Sequence, residues 1–303
     1  MRSLESNASE IHSRIAAIDG SRLRRHVEFL ADLGPRSIHD VSAVMAAQEY
    51  LRVALRGFGY DVEDEPFDEA DHEVNLIATR RGSVPADEVL ELGAHYDTVV
   101  GTPGADDNAS AVAGLLEVAR VLVQACGRRR LRFCLFGAEE SGLRGSSGHV
   151  RRLESGGNVE RFAGIVVFEM IGYCTHEPGS QRTPIRIPLL ISPPRTGDFI
   201  AVVANHRSRR LVTRFEQAAA RHVPALRTYG VKHLGGVLRD AARSDHRPYW
   251  EAGLPGVMVT DTANFRNPHY HRPTDLPDTL DYRFAAQVAQ VTAAMLMEWV
   301  AGA

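Results

Sequence analysis

The chain has 303 residues, 44% hydrophobic and 24% charged, which is ordinary for a globular protein. Its formal charge of −3 argues against the clustered basic face of a nucleic-acid binder, and the short runs Arg128 to Arg130 and Arg209-Arg210 read as solvated turns or helix faces. No apolar run approaches the ~20 residues needed to span a bilayer, so no membrane partner is expected.

The first sixty residues read as helical. Ser21 is placed to cap a helix running through Phe29 and Leu30 to a stop at Gly34-Pro35. A second helix spans Val41 to Leu55, with Val44, Ala47, Tyr50, Leu51 and Leu55 at helical spacing and Gly57 and Gly59 beyond its end. Strand-like runs follow at Asp61–Phe67, Val74–Ala78 and Val89–Gly93, the last leading straight into His95. An apolar helix from Ala109 to Val123 precedes the strand Leu131–Phe136, which ends at Gly137-Ala138-Glu139-Glu140. A short helix begins near Ser146, and the strand Gly164–Phe168 delivers Glu169. Residues 174 to 208 contain a Pro-, Gly- and Arg-rich stretch and read as an irregular surface excursion. A helix at Arg209–His222, a strand at Gly256–Val259 and a closing helix at Tyr282–Val300 complete the chain.

Strands alternating with helices predict an α/β fold, a three-layer αβα sandwich around a mostly parallel, mixed β-sheet. With no linker or internal repeat, residues 1–303 are expected to form a single domain. The three cysteines, Cys126, Cys134 and Cys174, cannot all pair, and Cys134 lies inside an apolar run. Free thiols suit a reducing compartment, and the first residues carry acids and no apolar core, so a cytoplasmic location is expected.

Acids and histidines recur at bends after apolar runs. They are His95-Tyr96-Asp97, Asp106-Asp107-Asn108, Glu139-Glu140, Glu169 and Tyr270-His271. Two imidazoles and several carboxylates are the donors that two neighbouring divalent cations need when they share a bridging carboxylate. Asp97 can fix the tautomer of His95. Asp107 precedes an apolar helix that Asp106, Asn108 or Ser110 could also cap, and a position facing two metals is its sharper reading. Adjacent Glu139 and Glu140 leave a strand toward different sides, so one can bind metal while the other takes a proton. His269 and His271 both offer imidazoles near the C-terminus.

These residues sit in longer motifs. They include Gly34-Pro35-Arg36, Asn75-Leu76-Ile77-Ala78, Gly93-Ala94-His95-Tyr96-Asp97-Thr98 and Pro103-Gly104-Ala105-Asp106-Asp107-Asn108-Ala109-Ser110. Further along come Phe136-Gly137-Ala138-Glu139-Glu140-Ser141-Gly142-Leu143, Met170-Ile171-Gly172, Ser244-Asp245-His246, and Tyr270-His271 followed by Asp275. In their order and spacing the chain resembles the co-catalytic dizinc aminopeptidases of metallopeptidase family 28, over nearly its whole length.

The resemblance implies a zinc-peptidase, phosphorylase-like sandwich and two Zn²⁺ ions, with Mn²⁺ or Co²⁺ as substitutes. It implies one ion held by His95, Asp107 and Glu169 and a second by Asp107, Glu140 and His271, with Asp107 bridging. Glu139 would be the general base for a hydroxide shared by the two metals, Asp97 the carboxylate behind His95, and Tyr270 a donor to the tetrahedral oxyanion. The implied substrate is a peptide or aminoacyl small molecule with a free N-terminus. The chain departs from the family in carrying Glu169 where aspartate is usual and Ala111 where glycine is usual.

Two other hydrolytic readings, a carboxypeptidase or an N-acyl amino acid amidohydrolase, draw on Arg239, Arg243 and Arg247, whose guanidinium forks match a substrate carboxylate. A glutaminyl-cyclase-like transferase would use one zinc. A catalytically dead binding module would have no need of Glu139.

Overall fold

The computed structural model describes residues 2–68, 72–80, 88–125, 129–156, 161–183, 193–232 and 239–302. Three helices open the chain: α1 (Arg2–Ile15), α2 (Gly20–Asp32) and α3 (Val41–Phe58). The cap of α2 is Asp19, not Ser21. The Asp19 carboxylate accepts the Ser21 and Arg22 amides, a better acceptor than a hydroxyl for the partly positive helix start. Helix α3 ends as its glycines predict: Gly59 takes a left-handed backbone with φ 108°.

Eight strands then build one sheet. They are β1 (Tyr60–Pro66), β2 (Val74–Arg80), β3 (Glu88–His95), β4 (Arg129–Phe136), β5 (Arg161–Glu169), β6 (Phe199–Ala204), β7 (Arg227–Val231) and β8 (Gly256–Thr260). Their spatial order is β1-β2-β4-β3-β5-β8-β6-β7. The central run β4, β3, β5 and β8 is parallel, as is the β6–β7 pair; β1 and β2 add antiparallel on one side, and β6 runs antiparallel to β8. The interleaved helices are α4 (Ala111–Leu122), α5 (Arg144–Ser155), α6 (Arg209–His222), α7 (His246–Glu251) and α8 (Tyr282–Val300).

Strand alternation sorts the sheet residues between two faces. Leu90, Leu92 and Ala94 of β3, with Phe133 and Leu135 of β4, join the large core under α2, α3, α4 and α8. Cys134 and Phe136 point the other way, into a smaller cluster with Ile165, Val167 and Tyr249 under α5 and α7. Helix α4 lies between sheet and α8 and is buried along almost its whole length, which is why its sequence is apolar apart from the paired Glu117 and Arg120. The layers are those the alternating pattern predicts.

Two strands escaped the sequence reading. The span 174–208 read as irregular contains β6, a six-residue apolar strand buried on both sides. The Pro- and Gly-rich residues before it masked its start. The short β7 sits at the sheet edge, where polar Arg227 and Thr228 are tolerated and apolar alternation is weak. Residues 184–192, Cys126 and Arg128 lie outside the described residues, and so does the side chain of Arg239. Cys134 and Cys174 are free thiols. Among the described residues no helix is long and apolar enough to cross a membrane.

Candidate metal centre

Parallel strands collect their functional residues at the carboxyl edge, because the connecting loops all leave there. His95 is the last residue of β3 and Glu169 the last of β5. Glu139 and Glu140 follow β4 in a turn closed by the Gly142 and Leu143 amides, which donate to the Glu139 carbonyl. Asp107 lies in the irregular turn Ala105–Ser110 that leads into α4, and His271 in the loop after β8. Ala138, Met170 and His271 adopt left-handed backbone at φ 52°, 51° and 56°, a conformation costing non-glycine residues ~1–3 kcal/mol, and such strain concentrates at functional sites.

The structure brings the sequence candidates into two triads sharing one residue. His95, Asp107 and Glu169 each offer a ligand atom within 4.8 Å of the others, and so do Asp107, Glu140 and His271. Asp107 divides its oxygens: Oδ1 lies 3.4 Å from His95 Nε2, and Oδ2 lies 3.0 Å from His271 Nε2. Glu169 Oε2 stands 3.4 Å from His95 Nε2, and Glu140 Oε1 stands 3.2 Å from His271 Nε2. His269 takes no part; its Nδ1 pairs with the Thr274 hydroxyl at 3.0 Å.

These separations test whether a cation fits. Two ligand atoms ~2.1 Å from one zinc ion at a tetrahedral angle lie ~3.4 Å apart. Moreover, His95 Nε2 and Asp107 Oδ1 are buried and make no hydrogen bond, although they face each other. Unpaired polar atoms in a dry interior are costly, so an arrangement that leaves two of them aimed at one point calls for something there. A divalent cation satisfies both. The donor set, two imidazoles and three carboxylates, suits zinc.

Protonation preferences tell the same story. Burial disfavours charge on His95, yet the field of Glu139 and Glu169 and the adjacent carboxylates of Asp107 and Asp97 hold its pKa well above the usual value. His271 is likewise pushed up, to about 10, because its bonds to Asp107 and Glu140 outweigh burial. Burial and the neighbouring Asp107 raise Glu140 to about 7. Glu139 is raised well above the carboxylate range by burial, with Glu169, Asp245 and Glu140 adding repulsion against the opposing pull of His95. A site this rich in acids gathers protons where cations are absent, and metal binding displaces them.

Second contacts hold the loops in place. Asp97 lies 3.3 Å from His95 Nδ1, and its two oxygens also accept the Glu139 and Glu140 amides at 3.0 Å each. One carboxylate thus orients a histidine and fastens the acidic turn, a second task the sequence reading did not include. Asp275 accepts the Asp106 and Asp107 amides at 2.9 and 3.1 Å. Asn108 ties the same turn to β5, accepting the Met170 amide and donating to the Phe168 carbonyl. Neither Asp106, Asn108 nor Ser110 caps α4: Asp106 accepts bonds from Ser110, Gly172 and Asn267 instead, because the turn must be fixed to its neighbours more than to its helix.

Three further residues belong to this neighbourhood. Ser244 donates to Glu169 Oε2 at 2.6 Å. Buried Asp245 lies in the field of His95, Asp97 and Glu169, and burial first of all lifts it to about 7. Arg243 donates to the Tyr270 hydroxyl at 3.0 Å and to Asn264 Oδ1 at 3.0 Å. The motif Ser244-Asp245-His246 flagged the first two without giving them a role. Tyr270 stacks on His271, ring centroids 3.7 Å apart.

A constellation of buried carboxylates and imidazoles at the carboxyl edge of an αβα sheet, with donors spaced for two cations, defines a metal-dependent hydrolase class of site. Residues 75–296 match the model of peptidase family M28, and the chain belongs to that family. It is 34% identical over 284 residues to the uncharacterized protein YfbL of Escherichia coli K12, covering 88% of this chain and 84% of YfbL. It is 28% identical over 236 residues to the aminopeptidase YwaD of Bacillus subtilis, covering 75% of this chain but 44% of YwaD. Among solved structures, the LapA aminopeptidase of Legionella pneumophila superposes with a TM-score of 0.78 at 18% identity, covering 96% of this chain and 75% of LapA. The glutaminyl cyclase of Porphyromonas gingivalis superposes with a TM-score of 0.68 at 21% identity, covering 94% and 99%. Both show the common sandwich.

Proposed function

We propose that this chain is a zinc-dependent aminopeptidase that hydrolyses the first peptide bond of its substrate, with Glu139 as general base. The observation that carries the reading is the split of Asp107, one oxygen toward His95 and the other toward His271. That split suits two cations, one held by His95, Asp107 and Glu169 and the other by Asp107, Glu140 and His271. Membership of a peptidase family and similarity to the aminopeptidase YwaD support the reaction class.

Bound there, the cations supply Lewis-acid activation of water and of the scissile carbonyl. The chain's own residues do the rest. Glu139 is not needed as a ligand; as the carboxylate, with its proton affinity raised by burial, it accepts the proton of the attacking water and passes it to the leaving amine as the C–N bond breaks. The Tyr270 oxygen already accepts a bond from Arg243, so its hydrogen is free to donate to the carbonyl oxygen as charge develops there. Asp97 holds His95 and the Glu139–Glu140 turn in register.

A single-zinc cyclase reading leaves one of the two triads without a purpose. A carboxypeptidase reading finds Arg247 turned to Glu251 and Arg243 engaged with Tyr270 and Asn264. Metal analysis joined to chelation and rescue over a substrate panel decides. The expected result is two zinc ions per chain and hydrolysis of aminoacyl nitroanilides with a free α-amine. One zinc per chain, or hydrolysis confined to N-acylated substrates, would reject the reading.

Residues 1–303 are taken as one catalytic domain, supported by the single sheet that receives strands from both halves of the chain. The free thiols of Cys134 and Cys174 support a cytoplasmic location.

A further inference from the structure

Among the described residues Arg36 is the largest side chain that the fold buries completely, and among them its guanidinium hydrogen-bonds backbone carbonyls and no carboxylate. A buried charge is tolerated only when its surroundings satisfy it. Here backbone carbonyls do so. Nε donates to Tyr96 O at 2.9 Å, Nη1 to Leu30 O and Pro103 O at 2.8 Å each, and Nη2 to Gly104 O at 3.0 Å. The Arg36 backbone joins in: its amide donates to Thr98 Oγ1 at 2.9 Å, and its carbonyl accepts the Thr98 amide at 3.1 Å.

The acceptors come from three separate places. Leu30 lies in the last turn of α2; Tyr96 and Thr98 lie within three residues after His95; Pro103 and Gly104 lead into the turn that carries Asp107. Gly104 has φ +61°, and a Cβ there would stand 2.4 Å from the Asp107 carbonyl and 3.0 Å from Arg36 Nη2. Glycine at 104 therefore lets the turn fold back against the guanidinium.

We propose that Arg36 is a positioning residue that sets the separation of His95 and Asp107, and with it the affinity of the site for its cations. This rests on the two-metal reading of the site. A planar guanidinium can serve carbonyls on several sides at once, which the three tetrahedral donors of lysine cannot reproduce. Its charge also lies in the field of Asp97, Asp107 and Asp275, so it tempers the repulsion among acids that the turn holds together. Neither role requires Arg36 to touch substrate.

The test is zinc affinity in Arg36→Lys, measured by competition with a chromophoric chelator at a temperature where circular dichroism shows the variant folded. Wild-type protein is titrated in parallel, and kcat and KM are then taken at saturating zinc. The expected result is at least one zinc constant weakened by about tenfold or more, the range seen when residues supporting metal ligands are changed. With metal restored, KM should stay close to wild type while kcat falls. Unchanged zinc constants in a folded Arg36→Lys, whatever its melting temperature, would overturn the proposal and show that the arginine only stabilises the fold. Should Arg36→Lys not fold, Thr98→Val removes one tie between Arg36 and the His95 strand; a smaller weakening in the same direction supports the proposal, and wild-type affinity overturns it. Fewer than two zinc ions on the wild type would instead count against the two-metal site itself.

Discussion

Two buried clusters of acids and histidine sit on this sheet, and they have opposite characters. At the carboxyl edge, His95 and Asp107 face each other with Nε2 and Oδ1 unpaired. Beneath α5, the second cluster of Glu65, Glu91, Cys134, His149 and Tyr249 also has metal-ligand chemistry, and Glu91, Cys134 and His149 converge within 4.8 Å. Yet there the donors are consumed. His149 Nδ1 pairs with Glu65 at 3.0 Å and Nε2 with Glu91 at 3.1 Å; Arg132 and Tyr249 also donate to Glu91 at 2.8 and 2.9 Å. A histidine flanked by two carboxylates holds a proton on each nitrogen and has no lone pair to give a metal. Residue types alone would score both clusters as metal sites; unsatisfied atoms separate them.

The second cluster still serves the first. Asn75 donates to Glu65 Oε1 and to the Gly145 carbonyl, each at 2.9 Å, and accepts the Gly137 amide at 3.3 Å. It thereby links the ionic network to the loop that carries Glu139 and Glu140. One region has the unpaired donors that a cation would satisfy, the other braces its wall.

The comparison can be broken by exchange of single residues. The largest effect is expected for Asp107→Ala, which removes the shared ligand of both triads: zinc content and peptidase activity should both be lost, and full zinc retention would dissolve the contrast. Glu139→Gln should keep the fold and the metals but lose ~10²–10⁴ in turnover, as for a missing general base. Near-normal turnover in a metal-loaded sample would reject that role.

In the other cluster, His149→Gln removes the cation that Glu65 and Glu91 share, leaving Arg132 on Glu91. Breaking a buried ion pair this way costs ~3–5 kcal/mol, to be read by urea unfolding, while zinc content stays at the wild-type level. Loss of zinc with unchanged stability would mean the roles of the two clusters had been exchanged.

The smallest effect concerns pH. Burial opposes charge on His149, but Glu91, Cys134 and Glu65 raise its pKa well above 6.5. Burial also opposes charge on Glu65 and Glu91, yet His149 draws both below 4.5. A raised imidazole stabilises fully below its unfolded value and loses that contribution as pH rises through its folded value; lowered carboxyls stabilise above theirs and lose it as pH falls through their folded values. The melting-temperature gap between wild type and His149→Gln should therefore be widest between pH 4.5 and 6.5 and narrow on either side. A gap that grows steadily toward alkaline pH would show that His149 is not held as the cation.

Much of this was legible beforehand because strand ends punctuate the sequence. Apolar runs stop abruptly at His95, Glu139 and Glu169, and a parallel sheet sends such residues to one edge. His271 was harder to read, since His269 has the same local surroundings, and only the fold turns one ring to Asp107 and the other to Thr274. β6 and β7 were missed because local composition outweighed their short apolar signal. The second tasks of Asp97, and the contacts of Asp275, Ser244 and Asp245, depend on partners between 40 and 170 residues away and have no local signature.

By itself the sequence determined most of the helices and strands and which chemical groups stand at their ends, because helical and strand periodicity and residue type are local properties. Tertiary structure alone decided which oxygen of Asp107 faces which histidine, which buried histidine keeps its lone pair, and that Arg36 lies where three segments meet. Those are matters of a few ångströms between distant parts of the chain, and packing of the whole sheet and its helices sets them.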